Sequence, residues 1–205
     1  VSAGTDGENN ITQKVKPIKD CFEGLNRATF SLNQSLDKAI FEPVARTYRD
    51  LPQSIRTGTG NVLLNLSSLV TIPNNILQGE FKKAGTNTGR FVVNTTLGIL
   101  GIFDVAKKMG FSEYEKEDYG QTLGVMGVNE GCYLVLPVLG PSTVRDTAGS
   151  FLNLLGGDPW YNASVHGNNE FLTRSQYVAT KVISGVEFRA KNIDSFENLE
   201  KNSMD

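Results

Sequence analysis

Apolar residues return along most of this chain at intervals of three and four, in several separate runs. Leu25, Thr29, Leu32, Leu36 and Ile40 keep the helical period, which predicts an amphipathic helix opening at Phe22. Pro43 suits the first turn of a new helix through Val44, Ala45 and Tyr48, and Leu51-Pro52 ends it. Ser54 reads as the N-cap of a third helix bounded by Gly58 and Gly60. Residues 61–78 form a second apolar zone, which Pro73 is expected to break or kink. Residues 80–103 read as one long helical region. The charged, aromatic segment 112–119 reads as a solvated turn.

Residues 133–139 are continuously apolar between glycines. A short buried strand, a hairpin arm and an apolar loop all fit, while the length and Pro137 oppose a full helix. Helical spacing returns over 143–155 through Val144, Ala148, Phe151 and Leu155, followed by the turn Gly156-Gly157-Asp158-Pro159. A terminal amphipathic helix is predicted within 171–199, with Val178, Val182, Val186, Ile193 and Phe196 on its period.

The stretch 91–103 carries no charge, and glycines and hydroxyls interrupt its apolar surface. As a helix it would be roughly 20 Å long, too short for a hydrocarbon core of about 30 Å. Two readings follow: a buried core helix, or a segment that enters one leaflet only.

Composition narrows the rest. A 205-residue chain suits one domain, and a formal net charge of -2 offers no basic face for nucleic acid. The 21 glycines are unusual for a plain helical bundle and point to close backbone packing or kinks. Residues 1–19 read as a disordered leader, 20–200 as a single domain, and 201–205 as a frayed tail. The chain begins with Val1, so removal of an upstream targeting segment is part of this expectation. Cys21 and Cys132 are the only cysteines; buried thiols and a single disulfide both fit.

Catalytic constellations are scarce. His166 is the only histidine, and no nearby residue is marked out to orient it as a base. No second His or Cys pair recommends zinc, and Gly140-Pro141-Ser142 does not complete a nucleophile elbow. No catalytic residue, metal or cofactor is therefore expected. The glycosylation-like triplets starting at Asn65 and Asn94 lie inside apolar segments and read as structural. Glu23 with Arg27, Asp37 with Lys38, and Arg145 with Asp146 could be ion pairs that fix helix ends. They could also be the polar lining of a channel.

The run Asp20-Cys21-Phe22-Glu23-Gly24-Leu25-Asn26-Arg27, with Phe30 and Asn33, resembles the opening signature of the MlaA (VacJ) lipoproteins. The resemblance continues in order through Pro43-Val44-Ala45 and Asn75-Ile76-Leu77-Gln78-Gly79. Arg90-Phe91 with Asn94-Thr95-Thr96-Leu97-Gly98 and Tyr119-Gly120-Gln121-Thr122-Leu123-Gly124 extend it, as do Gly140-Pro141-Ser142 and Arg145-Asp146. It implies a mostly α protein, a compact ring-like bundle of amphipathic helices lying in one leaflet, with an irregular or hairpin segment near 120–140. It also implies a non-enzymatic component at the periplasmic face of a Gram-negative outer membrane. Mislocalised phospholipids would pass through its amphipathic channel to a periplasmic lipid carrier, beside a trimeric porin.

In that frame Phe91, Val92, Leu97, Ile99, Leu100, Ile102 and Phe103 are candidates to face lipid. Tyr133, Leu134, Leu136, Pro137, Arg145 and Asp146 are candidates for channel or gate. The family usually carries Pro where this chain has Cys21 and Cys132. The paired departure makes them a disulfide candidate in the oxidising periplasm.

Overall fold

The computed structural model describes residues 18–152 and 173–194, together with 162 and 165. The leader before residue 18, the turn at 156–159, His166, Phe196 and the tail at 201–205 lie outside the described residues.

The fold is mostly helical with one small hairpin. Helix α1 (Glu23–Leu36) runs through a π-helical turn, Asp37–Phe41, into α2 (Glu42–Arg49). Pro43 therefore does not restart the chain. It sits in the first turn of α2, where its missing N–H costs little. Helix α3 (Gln53–Leu77) begins directly after Pro52, with Gly58 and Gly60 inside it rather than at its ends, and Ser54 is not its cap. It also continues through Pro73. Thr71, Asn74 and Asn75 around the proline are bonded to neighbouring segments, which holds both flanking turns in place.

Helix α4 (Phe81–Thr96) is followed by short α5 (Val105–Lys108) and α6 (Tyr119–Val125). Strands β1 (Tyr133–Leu136) and β2 (Gly140–Thr143) pair antiparallel, with Val135 opposite Pro141. Helix α7 (Val144–Leu152) follows the hairpin, and α8 (Arg174–Lys191) packs against α2 and α3. Among the described residues, no helix is long and apolar enough to cross a membrane. The segment 133–139 is thus a hairpin arm and its turn. Helices α6 and α7 meet where Gly120 faces Gly149; a Cβ on Gly149 would lie 2.3 Å from the Gly120 nitrogen.

The long helix expected over 80–103 stops at Thr96. Its continuation doubles back: the Gly101 N–H donates to Asn94 O at 2.8 Å, and the Phe103 N–H to Gly98 O at 2.9 Å. Glycine is required here, because a Cβ on Gly98 would lie 2.2 Å from the Phe103 carbonyl oxygen. Ile99 and Leu100 take left-handed φ of 53° and 55°, a conformation that costs a β-branched residue most. Asp104 then caps α5 by accepting from the Lys107 N–H. The apolar stretch is therefore half helix and half re-entrant loop.

Packing is inverted relative to a water-soluble bundle. The buried apolar set is small: Ala45, Ala84, Ala106, Val135, Val165, Ala190 and Ile193. Buried polar and charged residues outnumber it, and include Asn26, Asn65, Thr71, Asn74, Asn75, Asn87 and Arg90. Large apolar side chains point outward on many of the elements, among them Leu25, Phe30, Leu64, Phe81, Leu100, Phe151 and Val182. The stripe on the period of α8 is exposed at Val178 and Val182, while Ala190 and, beyond the helix, Ile193 join the apolar core.

Candidate functional site

Helix α3 organises the interior. Taking about 100° per residue, Gln53, Thr57, Gly60, Asn61, Ser68, Thr71 and Asn75 share one side of it. Val62, Leu66, Leu69, Ile72 and Ile76 share the other. From Gly60 onward the polar side faces in, with Gly60, Ser68, Thr71 and Asn75 buried, while Gln53 and Thr57 at its start are exposed.

Its C-terminal half is closed by hydrogen bonds. Thr71 Oγ1 lies 2.6 Å from Tyr114 Oη and donates to the Glu117 carbonyl at 3.3 Å, while the Glu117 N–H donates back to it. Thr122 donates to Asn74 Oδ1 at 2.6 Å, and Asn87 donates to Asn75 Oδ1 at 2.8 Å. Asn65 donates to Thr95 at 2.9 Å. The segment 112–119 is therefore solvated only in part: Ser112, Glu113, Glu115, Lys116 and Asp118 are exposed, while Tyr114 is largely enclosed and Glu117 is buried, where their polar groups complete this network. Burial pushes the Tyr114 phenol above its ordinary value, despite the hydroxyl bonds from Ser67 and Thr71.

The loop after α4 is anchored to the same network. Arg90 Nη2 donates to both Asp104 carboxylate oxygens, at 2.8 and 3.0 Å, and Asn94 donates to the same carboxylate at 3.0 Å. Burial alone would raise the Asp104 carboxyl. The Lys107 N–H, Asn94 and Arg90 outweigh that and hold it below its ordinary value.

The N-terminal half of α3 is open. A cavity of about 230 Å³ lies between α2, α3 and α8. Tyr48 contributes from α2, Gln53, Arg56, Thr57 and Asn61 from α3, and Glu187 and Lys191 from α8. Lys191 is ion-paired to Glu187, whose carboxylate packs against Gly60; a Cβ there would lie 2.8 Å from Glu187 Oε1. Behind this wall Arg189 makes a bidentate pair with Asp37 at 2.7 and 2.8 Å. Asp37 thus reaches across to α8, a partner that the sequence did not suggest, and that contact raises the Arg189 pKa.

The hairpin is tied down separately. Cys21 and Cys132 form a disulfide with a Cα separation of 5.6 Å. The Tyr133 N–H donates to Lys19 O at 2.9 Å. Asn26 donates to Tyr133 O and accepts from the Val135 N–H, while Asn33 does the same for Leu136 O and the Val138 N–H. One face of α1 therefore serves as a hydrogen-bonding template for the hairpin.

Of the lipid-facing candidates, Val92, Leu97, Ile99, Leu100, Ile102 and Phe103 are exposed, and Phe91 is half-buried. Tyr133, Leu134, Leu136 and Pro137 sit in the hairpin and its turn. Arg145 and Asp146 bond each other at 3.0 Å at the start of α7. None of these six lines the open cavity. The residues that do were passed over. Gln53, Arg56, Thr57 and Asn61 repeat at helical spacing opposite an apolar stripe, but treating Ser54 as the start of a separate short helix hid that pattern. Their convergence with Glu187 and Lys191 is tertiary and has no local signature.

A polar interior with an open cavity, wrapped by amphipathic helices whose apolar sides face out, defines a class: a helical shell with a polar inside and an apolar outside. A family model described as MlaA lipoprotein matches residues 18–205, and the chain belongs to that family. The chain is 33% identical over 206 residues to the Escherichia coli (strain K12) protein "Intermembrane phospholipid transport system lipoprotein MlaA", covering 98% of this chain and 75% of that one. It is 37% identical over 136 residues to an uncharacterised protein of Rickettsia prowazekii, covering 66% of this chain and 54% of that protein. The chain thus spans about half the length of that relative. A solved structure, "Structural basis for maintenance of bacterial outer membrane lipid asymmetry", superposes with a TM-score of 0.75 at 33% identity, covering 89% of this chain and 88% of its own.

Proposed function

We propose that this protein is the outer-membrane component of an intermembrane phospholipid transport system. It sits at the periplasmic face of the outer membrane, with its apolar exterior in one leaflet. Phospholipids misplaced in the outer leaflet pass through its polar interior toward a periplasmic lipid carrier, and a trimeric porin stands beside it. The protein acts as a conduit rather than an enzyme, without a cofactor, and phospholipid is its ligand.

The observation that carries this reading is the inverted packing. Each buried polar group needs a partner, and exposed apolar area on this scale is unfavourable in water. Both features become favourable when the surroundings are acyl chains and the interior must tolerate a charged headgroup. Backbone that is irregular at membrane depth is acceptable where protein satisfies it, and the bonds from the Gly101 and Phe103 N–H groups do so in the re-entrant loop.

The test is to purify the protein in mild detergent, extract it, and identify bound lipid by mass spectrometry. Co-purified phospholipid supports the reading. A lipid-free protein that stays monodisperse without detergent points instead to a non-transporting structural or adhesin-like lipoprotein. Leu100→Lys, at an exposed loop position, should lower vesicle association without unfolding the protein. Undiminished association would count against leaflet insertion.

A further inference from the structure

We propose that the cavity between α2, the start of α3 and α8 is a binding site for a phosphate-ester headgroup, with Arg56 and Lys191 as its phosphate ligands. This rests on the transport reading above and assigns that reading a specific station.

Size comes first. At about 230 Å³ the cavity admits several waters at roughly 30 Å³ each, or a headgroup, but not a pair of acyl chains. An amphipathic ligand would place its polar end inside and its chains outside. Leu51, exposed and apolar, lies beside Arg56: its carbonyl accepts from Arg56 Nε at 3.1 Å.

Charge comes second. Arg56 and Lys191 are the cations in the lining, and Glu187 is its one carboxylate. Glu187 is committed. Its pairing with Lys191 and its packing against Gly60 hold the ammonium beside α3, 3.3 Å from where a Gly60 Cβ would be. The bond from Arg56 Nε to Leu51 likewise fixes the guanidinium plane and leaves the Nη edge for bidentate contact with phosphate oxygens. Tyr48 contributes its ring to the wall, and its hydroxyl is buried there with no hydrogen-bond partner among the described residues. Gln53, Thr57 and Asn61 supply neutral polar contacts for ester and glycerol oxygens.

The contrast along α3 is the third argument. At Thr71, Asn74 and Asn75 the Oγ1 and the two Oδ1 atoms find partners in neighbouring segments, whereas around Gln53 and Thr57 the same side borders open space. Gln53 and Thr57 are exposed there and are available to a ligand.

The experiment measures binding to the detergent-solubilised protein by native mass spectrometry with three probes: phosphatidylglycerol, diacylglycerol and glycerol 3-phosphate. The expected result is retention of phosphatidylglycerol but not diacylglycerol, with about a tenfold loss or more in the double variant Arg56→Gln, Lys191→Gln. Gln53→Glu places a carboxylate in the cavity at an exposed position that folding tolerates, and should give a similar loss if the double variant does not fold. Arg56→Lys should keep part of the binding. Glycerol 3-phosphate bound as tightly as the lipid would support the site with a soluble phosphate ester as its source. Undiminished phosphatidylglycerol in both the double variant and Gln53→Glu overturns the proposal while leaving lipid transport standing. A wild-type protein that holds no phospholipid overturns the transport reading, and the site falls with it only if glycerol 3-phosphate also fails to bind.

Discussion

Helix α3 shows one polar face to two different surroundings. Toward its C-terminus, Thr71, Asn74 and Asn75 are fully buried, and each is tied to a neighbouring segment. Toward its N-terminus, Gln53, Arg56 and Thr57 border a cavity. Residue chemistry is similar in both halves; the difference is satisfaction. Where polar groups meet polar groups, the face is structural glue for a fold that has few apolar contacts inside. Where they meet open space, the face is available to a ligand. In a protein whose exterior is apolar, a polar face by itself marks only the interior.

The comparison breaks most severely at Arg90. Its guanidinium, 7% exposed, holds the Asp104 carboxylate at the end of the re-entrant loop and the Ser112 carbonyl beyond α5. Arg90→Ala leaves a partly buried charge without its partner and should cost about 3–5 kcal/mol in urea unfolding in detergent. A loss below about 1 kcal/mol would show that the closed half is not held by this pair. The same carboxylate gives a pH signature. Because its folded pKa is lowered, its stabilising contribution is complete above the unfolded value of about 3.9 and is lost as pH falls through the folded value. Asp104→Asn should flatten that part of the acid unfolding curve.

The disulfide ranks next. Cys21 and Cys132 close a separation of 111 residues, for which removal typically costs about 2–4 kcal/mol. Cys21→Ser with Cys132→Ser should therefore lower stability by that amount. The loosening should be local: faster amide exchange is expected at Tyr133 and Val135, with α3 and α4 unchanged. Uniform loosening would mean that the hairpin and the closed polar network are one unit. Free-thiol labelling of both cysteines in air-purified protein would remove the premise.

Much of the helical framework was legible from spacing alone, as was the hairpin option at residues 133–139. Orientation was not. Period identifies a face without saying which side is buried, so nothing in the α8 stripe shows that Val178 and Val182 are exposed. Boundaries failed where tertiary bonds override local signals. Pro73 does not break α3, because Asn74, Thr71 and Asn75 are held from outside the helix. The end of α4 at Thr96 depends on Gly98 and Gly101 fitting against Asn94 and Asn65, contacts that appear only after the chain has turned. The buried state of Glu117 had no local cue, since its backbone partner is Thr71 on α3. The open cavity was hidden for the same reason, as Arg56 and Lys191 are far apart in sequence.

The smallest effects give the cleanest test, because one substitution can be made in both halves of one helix. Thr→Val keeps the shape and removes the hydroxyl. At Thr71, which is fully buried, it strips the partner from the Glu117 N–H and one bond from Tyr114 Oη. Tyr114 retains Ser67, so the cost is mainly the orphaned backbone group, about 1–3 kcal/mol. At Thr57, an exposed position on the cavity wall, the same change should alter stability by no more than about 0.5 kcal/mol. Its effect should appear in retained phospholipid instead. Equal destabilisation at both positions would mean that the open half is also structural. The division along α3 would then be one of packing density rather than of function.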